Sequence, residues 1–115
     1  MIIDWNKINI MIRPGSVDFR KQIDGLVLLV EKDFKISVFS NCLFVFCSND
    51  RKKIKVLYWD KNGFCLWQKR LEKDKFPWPK NQEDAKEITF SEFKMLLEGI
   101  DFFKAHKKLN YEKVI

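Results

Sequence analysis

The chain has 115 residues, of which 46% are hydrophobic and 33% charged, and it carries a formal net charge of +6. This length suits one domain with a single core, and the apolar content argues against a disordered chain. No apolar run approaches the roughly 20 residues of a membrane-spanning helix, and residues 1–7 lack the features of a signal peptide. We therefore expect a single-domain cytoplasmic protein that does not contact a membrane.

The excess positive charge is concentrated in the middle of the chain. Residues 1–40 contain six Lys/Arg and five Asp/Glu, residues 41–80 contain ten and four, and residues 81–115 contain six and seven. Such a local excess favours a polyanionic partner such as nucleic acid. The solvated face of a lysine-rich protein would have a similar composition, so charge alone leaves both interpretations open.

The first third of the chain reads as a strand followed by a helix. Weak alternation predicts a strand over residues 8–13, which Pro14 and Gly15 terminate. Ser16 can cap a helix over residues 16–32, and residues 33–41 are expected to connect this helix to the next strand. The apolar face of the predicted helix consists of Phe19, Ile23, Leu26, Val27 and Val30.

The central segment has the pattern of an antiparallel meander. Residues 42–47 are apolar on both faces, which predicts a central strand covered on both sides. Residues 53–59 and 64–70 are rich in β-branched and aromatic residues, and the Asn62-Gly63 pair between them is a strong hairpin signal. Residues 71–76 can add a short further strand before a Pro-Trp-Pro sequence ends regular structure.

The last third is predicted to contain a polar loop, a helix and a tail. Residues 81–87 are polar, and Thr89 with Glu92 forms a T-x-x-E capping box. The helix that follows has an apolar face of Phe93, Leu96, Leu97 and Ile100. Residues 1–104 should form one domain, with 105–115 as a loosely ordered tail. The predicted fold class is α+β: a strand, a helix, an antiparallel meander of three to four strands and a C-terminal helix in a single compact domain.

The hairpin can gather basic residues on one face. A two- or four-residue loop centred on Lys61 and Asn62 places Lys53 opposite Arg70 and Lys55 opposite Gln68, on the same face. Such a patch can contact phosphates, and Arg51 and Lys52 extend it at the turn. A three-residue bulged loop would instead shift the register and scatter the patch. The opposite face, which should be core, carries Ile54, Val56, Tyr58, Cys65 and Trp67.

A second candidate anion site lies at the start of the predicted first helix. Arg20 and Lys21 would fall in its first turn, where free N–H groups and two cations together could bind an anion. Alternatively, Arg20 simply forms an ion pair with Asp24 one turn later, worth a few tenths of a kcal/mol.

Signals for catalysis or metal binding are weak. The three cysteines contain no CxxC pair, and Cys42 and Cys47 should point to opposite faces of one strand, so we expect neither a metal site nor a cofactor. An enzyme would need a carboxylate cluster holding a divalent ion, and the candidate carboxylates are Asp18, Asp24, Asp60 and Glu72. These residues suit turns, helix starts and charge balance equally well. No nucleophile, phosphate-loop or metalloprotease motif is present, so we expect a protein that is not an enzyme.

The order of several short blocks resembles a known family. Over residues 8–101 the chain is similar to the small second-frame accessory protein, TnpB-like or Orf2-like, of IS66 insertion sequences. The blocks are Asp18 to Lys21, Ile23 to Leu26, Leu43 to Phe46, Asp50-Arg51, Lys55 to Asp60, Gly63 to Leu66, Lys69 to Glu72, Phe76 with Trp78-Pro79, and Met95 to Asp101. Two departures are Phe19, where Met is usual, and residues 73–75, which replace a glycine-containing link.

The resemblance implies a role in transposition beside a separate DDE-type transposase, without established chemistry or catalytic residues. Matched polar positions that could contact DNA are Arg20, Lys21, Arg51, Lys55, Lys69 and Arg70, to which the hairpin patch adds Lys53. One hypothesis is that the protein contacts element DNA through this basic hairpin face. The other is that it docks on the transposase or another accessory subunit through Trp59, Phe64 and Trp78, without touching DNA.

Overall fold

The computed structural model describes residues 4–79 and 86–100, which form one mixed five-stranded sheet and two helices. The elements are β1 (Asn9–Ile12), α1 (Ile23–Asp33), β2 (Cys42–Cys47), β3 (Lys53–Asp60), β4 (Gly63–Arg70), β5 (Lys86–Ile88) and α2 (Phe90–Leu97). The strand order is β4-β3-β2-β1-β5; β1 and β2 are parallel and all other neighbours are antiparallel. This arrangement confirms the α+β class. Within the described ranges, no helix is long and apolar enough to cross a membrane.

Strand β2 lies at the centre of the molecule. Every one of its six side chains is buried. They alternate between two apolar cores: Leu43, Val45 and Cys47 belong to the core beneath α2, and Cys42, Phe44 and Phe46 to the core beneath α1. The prediction of a central strand covered on both faces is therefore confirmed, and the sheet separates two apolar layers.

Helix α1 connects the parallel pair β1 and β2, since parallel strands need a crossover connection. It buries Leu26 and Val30 against the sheet. The helix begins at Ile23, with Gln22 at the N-cap and no side-chain cap, so the predicted start at Ser16 is wrong. Residues 14–22 form a loop instead. The Asp18 carboxylate accepts the Arg20 N–H at 2.9 Å, a local bond that competes with the helical conformation.

Helix α2 covers the other face of the sheet and begins as predicted. Thr89 Oγ1 accepts the Glu92 N–H at 3.1 Å, and Glu92 Oε1 accepts the Thr89 N–H at 2.9 Å. This reciprocal pair confirms the capping box. Phe93 and Leu96 are buried, whereas Ile100 lies beyond the helix end and is exposed.

Two predictions about the sheet edges differ from the structure. Residues 71–76 form no strand, whereas Lys86–Ile88, which begins within the predicted polar loop and ends one residue beyond it, is β5 and pairs with β1. Strand β5 has only three residues, two of them charged, which is too short for a periodic pattern that could identify a strand. It is defined by its pairing with β1. The rest of that loop through residue 85, and the predicted tail 105–115, lie outside the described residues.

The hairpin of β3 and β4 has the predicted register over eight consecutive pairs, from Lys53 opposite Arg70 to Asp60 opposite Gly63. The loop is the two-residue alternative. Lys61, rather than Asn62 or Gly63, has the left-handed backbone, with φ of 53°. The sequence signal located the turn correctly but not the residue in the left-handed region.

Candidate nucleic-acid interface

Lys55 has a different role from the phosphate contact predicted for it. It lies opposite Gln68, as expected, but its side chain is only 2% exposed. Its Nζ donates to the carbonyl oxygens of Phe19, at 2.9 Å, and Lys21, at 2.8 Å, and lies 4.8 Å from the centroid of the Phe19 ring. Burial, together with the nearby positive charge of Lys53, lowers the pKa of Lys55. Its ammonium group is therefore used inside the protein and does not reach the surface.

These contacts bring the two predicted basic segments together. Because Lys55 holds the carbonyls of residues 19 and 21, the loop before α1 lies across the α1 side of the hairpin. An open depression there is lined by Arg20, Lys21, Gln22, Ile23, Asp24, Gly25 and Leu66. Lys53 and Arg70 form the adjacent cross-strand pair on this side of the hairpin. We call the four residues Arg20, Lys21, Lys53 and Arg70 the basic face.

Arg20 is not in the first turn of a helix and does not pair with Asp24. Its Nη2 lies 2.6 Å from Oδ2 of Asp18. Hydrogen bonds from the Arg20 side chain and backbone lower the pKa of Asp18 to about 2. The Arg20 side chain is nevertheless 91% exposed. Both sequence interpretations of this residue, the helix-terminal anion site and the pair with Asp24, are therefore replaced by an exposed local ion pair.

The remaining residues of the basic face are also accessible. Arg70 pairs with Glu72 at 3.0 Å, and both side chains are largely exposed. Lys21 and Lys53 form no salt bridge with any residue among those that the structure describes. Exposed ion pairs contribute only about 0–1 kcal/mol, so a phosphate can displace the carboxylates of Arg20 and Arg70 at little cost.

Arg51 and Lys69 lie away from the basic face. Arg51 occupies the turn before β3 with φ of 63°, and its Nη1 donates to the carbonyl of Trp78 at 2.9 Å. Lys69 points to the α2 side, where its Nζ donates to the carbonyl of Leu97 at 2.7 Å. A cation at a helix C-terminus is stabilising because it meets free carbonyls and the negative end of the helix dipole. Both residues therefore join separate chain segments.

The aromatic candidates are divided between surface and core. Trp59 and Phe64 form a cluster with Phe39, with ring centroids 4.9–5.7 Å apart. Phe39 is 59% exposed, and no sequence pattern in the predicted connection over residues 33–41 identified it as a surface residue. Trp78 is buried, and its Nε1 donates to the carbonyl of Arg13 at 2.9 Å, so the prediction that it is a surface contact is wrong. Trp67, predicted as core, packs at the sheet edge and is 44% exposed.

Residues that commonly bind metal ions do not cluster in the part of the chain that the structure describes. Among residues 4–79 and 86–100, no group of three His, Cys, Asp or Glu could hold a metal ion. Cys42 and Cys47 are buried free thiols, and burial raises the pKa of each to about 12. Thiols that remain protonated in an apolar core behave as small hydrophobic groups.

Comparison with known proteins identifies the family. A family model described as "IS66 Orf2 like protein" matches residues 8–107. Two uncharacterised proteins of Sinorhizobium fredii are similar: y4jC is 32% identical over 101 residues, covering 88% of this chain and 86% of the relative. The second, y4hO, is 31% identical over 102 residues, covering 89% of each chain. No solved structure matches the chain. The chain therefore belongs to the IS66 Orf2-like family, and this membership supports an accessory role in the transposition of insertion sequences.

Proposed function

We propose that this protein is a non-enzymatic accessory protein of transposition that binds the DNA of its element through the basic face. The observation that carries the proposal is the burial of the Lys55 ammonium group, which holds the loop of Arg20 and Lys21 beside Lys53 and Arg70. Family membership supports the accessory role, and the collected positive charge supports DNA as the partner.

The expected binding is dominated by phosphate contacts. Duplex DNA carries one negative charge per roughly 1.7 Å of axis, and each phosphate that a cation neutralises releases condensed counterions. If all four cations of the basic face contact phosphates, the logarithm of the binding constant falls with the logarithm of salt concentration with a slope of about −3.6. Phosphate contacts position a protein without reading sequence, so preference for element ends must come from contacts with base edges or from DNA shape.

The test is a fluorescence anisotropy titration with labelled duplex from an element end and with a scrambled duplex, at two salt concentrations. The double variant Lys53→Glu, Arg70→Glu should lose nearly all binding at the lower salt. The matched control is Lys7→Glu, Lys94→Glu, which changes the net charge equally. Both control residues are exposed: Lys94 lies over the Phe90 ring of α2, and Lys7 precedes β1, which is adjacent to neither β3 nor β4. The control has the same net charge as the test variant, so it should lose only the affinity that depends on net charge. We expect it to retain at least half of the wild-type affinity.

Three results would contradict the proposal: no binding of the wild type at low salt, equal loss in both double variants, or no dependence on salt. Lys55 must stay unchanged in these experiments. Its side chain is buried, so charge reversal there would disrupt folding and mimic a loss of DNA contact.

A second candidate function is docking on the companion transposase or another accessory subunit. The observation that favours it is the exposed Phe39 ring on the cluster with Trp59 and Phe64. Aromatic residues, including Phe, are enriched at protein interfaces relative to the rest of the protein surface. In a pull-down with the transposase, Phe39→Ser should reduce capture if this surface docks, while Lys53→Glu, Arg70→Glu should leave it unchanged. The opposite pattern would mean that the transposase docks on the basic face and not on this aromatic cluster.

A further inference from the structure

The two edges of the sheet differ in length and in protection. Strand β5 is only three residues long and includes Lys86 and Glu87. Strand β4 is eight residues long and, within the described part of the chain, pairs with β3 alone. An unpaired edge presents a row of free N–H and C=O groups to which another strand can add.

Proteins that do not associate through an edge strand normally protect that strand with charged residues, prolines or bulges. Residues 63–68 of β4 contain no charged residue and no proline. The register with β3 runs through eight consecutive pairs without a bulge. Only Lys69 and Arg70, at the end of the strand, carry charge, and Lys69 is directed to the C-terminus of α2. The first six residues of β4 therefore lack each of these protective features.

The hydrogen-bond pattern shows which residues present their backbone to the free edge. Just beyond the strands, the Leu71 N–H donates to the carbonyl of Lys52 at 2.7 Å. The backbone of Leu71 therefore bonds toward the β3 side. Residues of an antiparallel strand alternate between bonding to their partner and facing away, so the backbone N–H and C=O of Arg70 face away from β3, as do those of every second residue before it. The outward-facing residues are Phe64, Leu66, Gln68 and Arg70.

An apolar surface adjoins this edge on the α2 side. Trp67 of β4 is 44% exposed, the largest exposed apolar side chain of the hairpin. It borders a groove of about 230 Å³ whose other walls include Trp5, Tyr58 and Leu97. A strand added to β4 would cover the indole ring at the same time as it satisfies the backbone.

We propose that β4 pairs in antiparallel fashion with β4 of a second copy of this chain, around a twofold axis that passes beside Trp67. In this register Phe64 lies opposite Arg70 of the partner subunit, and Leu66 opposite Gln68 of the partner subunit, so all four outward-facing residues form hydrogen-bonded pairs. Trp67 meets the partner's Trp67, and Lys69 meets the partner's Cys65.

The charges on the strand are compatible with this self-pairing. Like charges directly opposite each other destabilise a sheet, but here each cation meets an uncharged residue. Arg70 lies opposite an aromatic ring, with which a guanidinium interacts favourably. A twofold axis perpendicular to the sheet also keeps the α1 sides of both protomers on the same side of the joined ten-stranded sheet. The inference does not depend on DNA binding.

The first test is sedimentation or light scattering of the full chain, from about 1 to about 200 µM, because a single strand junction is a small interface. The weight-average mass should rise with concentration from 13.9 kDa toward twice that value. Gln68→Pro removes an outward-facing N–H but no bond to β3, and proline is tolerated at such edge positions. This variant should remain monomeric, whereas Gln68→Thr, which keeps the N–H, should dimerise like the wild type. A monomeric wild type, or a Gln68→Pro variant that still dimerises, would overturn the proposal.

The second test examines the register by oxidation of Trp67→Cys in a Cys65→Ser background. Directly opposite residues of a pair without mutual hydrogen bonds have Cα atoms about 4.5 Å apart, within the range of a disulfide. We expect a covalent dimer on non-reducing gels. Lys61→Cys in the same background is the control, because the exposed hairpin loop lies far from its symmetry mate in the proposed dimer. No covalent dimer with Trp67→Cys, or equally fast crosslinking of the control, would overturn this register.

Discussion

Replacing Lys55 tests whether its buried ammonium group holds the loop before α1 on the hairpin. The substitution Lys55→Met keeps the apolar stem within the core but removes the donor to the carbonyls of Phe19 and Lys21. Hydrogen bonds from a charged group contribute about 1.5–3 kcal/mol each, and part of that is recovered if water reaches the freed carbonyls. With the lower value for each of the two bonds, we expect the free energy of unfolding to fall by about 3 kcal/mol.

The measurement is chemical denaturation followed by tryptophan fluorescence, with a thermal melt as a second readout. A loss of about 3 kcal/mol should lower Tm by on the order of 10 °C in a domain of this size. The matched control is Lys53→Met, two residues away on the same face of β3 and only partly buried, which should change stability by less than about 0.5 kcal/mol.

A Lys55→Met variant as stable as the wild type would refute this reasoning. It would show that the cost of burying the ammonium group equals the gain from its two bonds, as can occur for buried charges. Amide hydrogen exchange gives a local check. If the ammonium group holds the loop, Lys55→Met should raise the amide exchange rates of residues 16–22 above those of the wild type. This increase should be larger than the increase for the amides of β2.

Three further predictions concern the core and the hairpin turn. The thiols of Cys42 and Cys47 have pKa values of about 12 in the folded protein, because they are buried. In the unfolded chain they ionise above about pH 9, and ionisation favours the unfolded state. The free energy of unfolding should therefore fall between about pH 9 and 12, by up to about 1.4 kcal/mol per pH unit for each thiol. Between pH 8 and pH 10, the free energy of unfolding should fall less in Cys42→Ala than in the wild type. An equal fall in both would contradict the raised pKa of Cys42. Trp78→Phe removes the indole N–H bond to the carbonyl of Arg13 and should lower the free energy of unfolding by about 1–3 kcal/mol. An unchanged free energy of unfolding would mean that the bond contributes nothing. Lys61→Asn places a residue that tolerates positive φ in the turn and should stabilise the fold by about 0.5–1 kcal/mol, whereas Lys61→Val should destabilise it.

The position of the basic face could be predicted only in part from the sequence. The cross-strand pair of Lys53 and Arg70 follows from the hairpin register, which depends on the turn and on the alternation of side chains. The presence of Arg20 and Lys21 beside that pair does not follow from local rules. It requires the contact of Lys55 with a loop more than 30 residues away in the chain. Lys55 itself is an alternating strand residue like Lys53, and no local pattern distinguishes the buried lysine from the accessible one.

The sequence by itself determined the elements whose defining interactions are local. The apolar run of β2, the hairpin of β3 and β4, and the capping box of α2 each depend on residues a few positions apart, so their patterns are legible in the chain. Tertiary structure decided the rest. The first helix begins at Ile23 because the preceding loop is held by contacts such as the Val17 N–H bond to the carbonyl of Cys47. Strand β5 is defined by its pairing with β1. Trp78 is buried because its ring packs in the core beneath α2, where its indole N–H donates to the carbonyl of Arg13. Contacts between residues far apart in sequence depend on how the elements pack, and local periodicity carries no information about them.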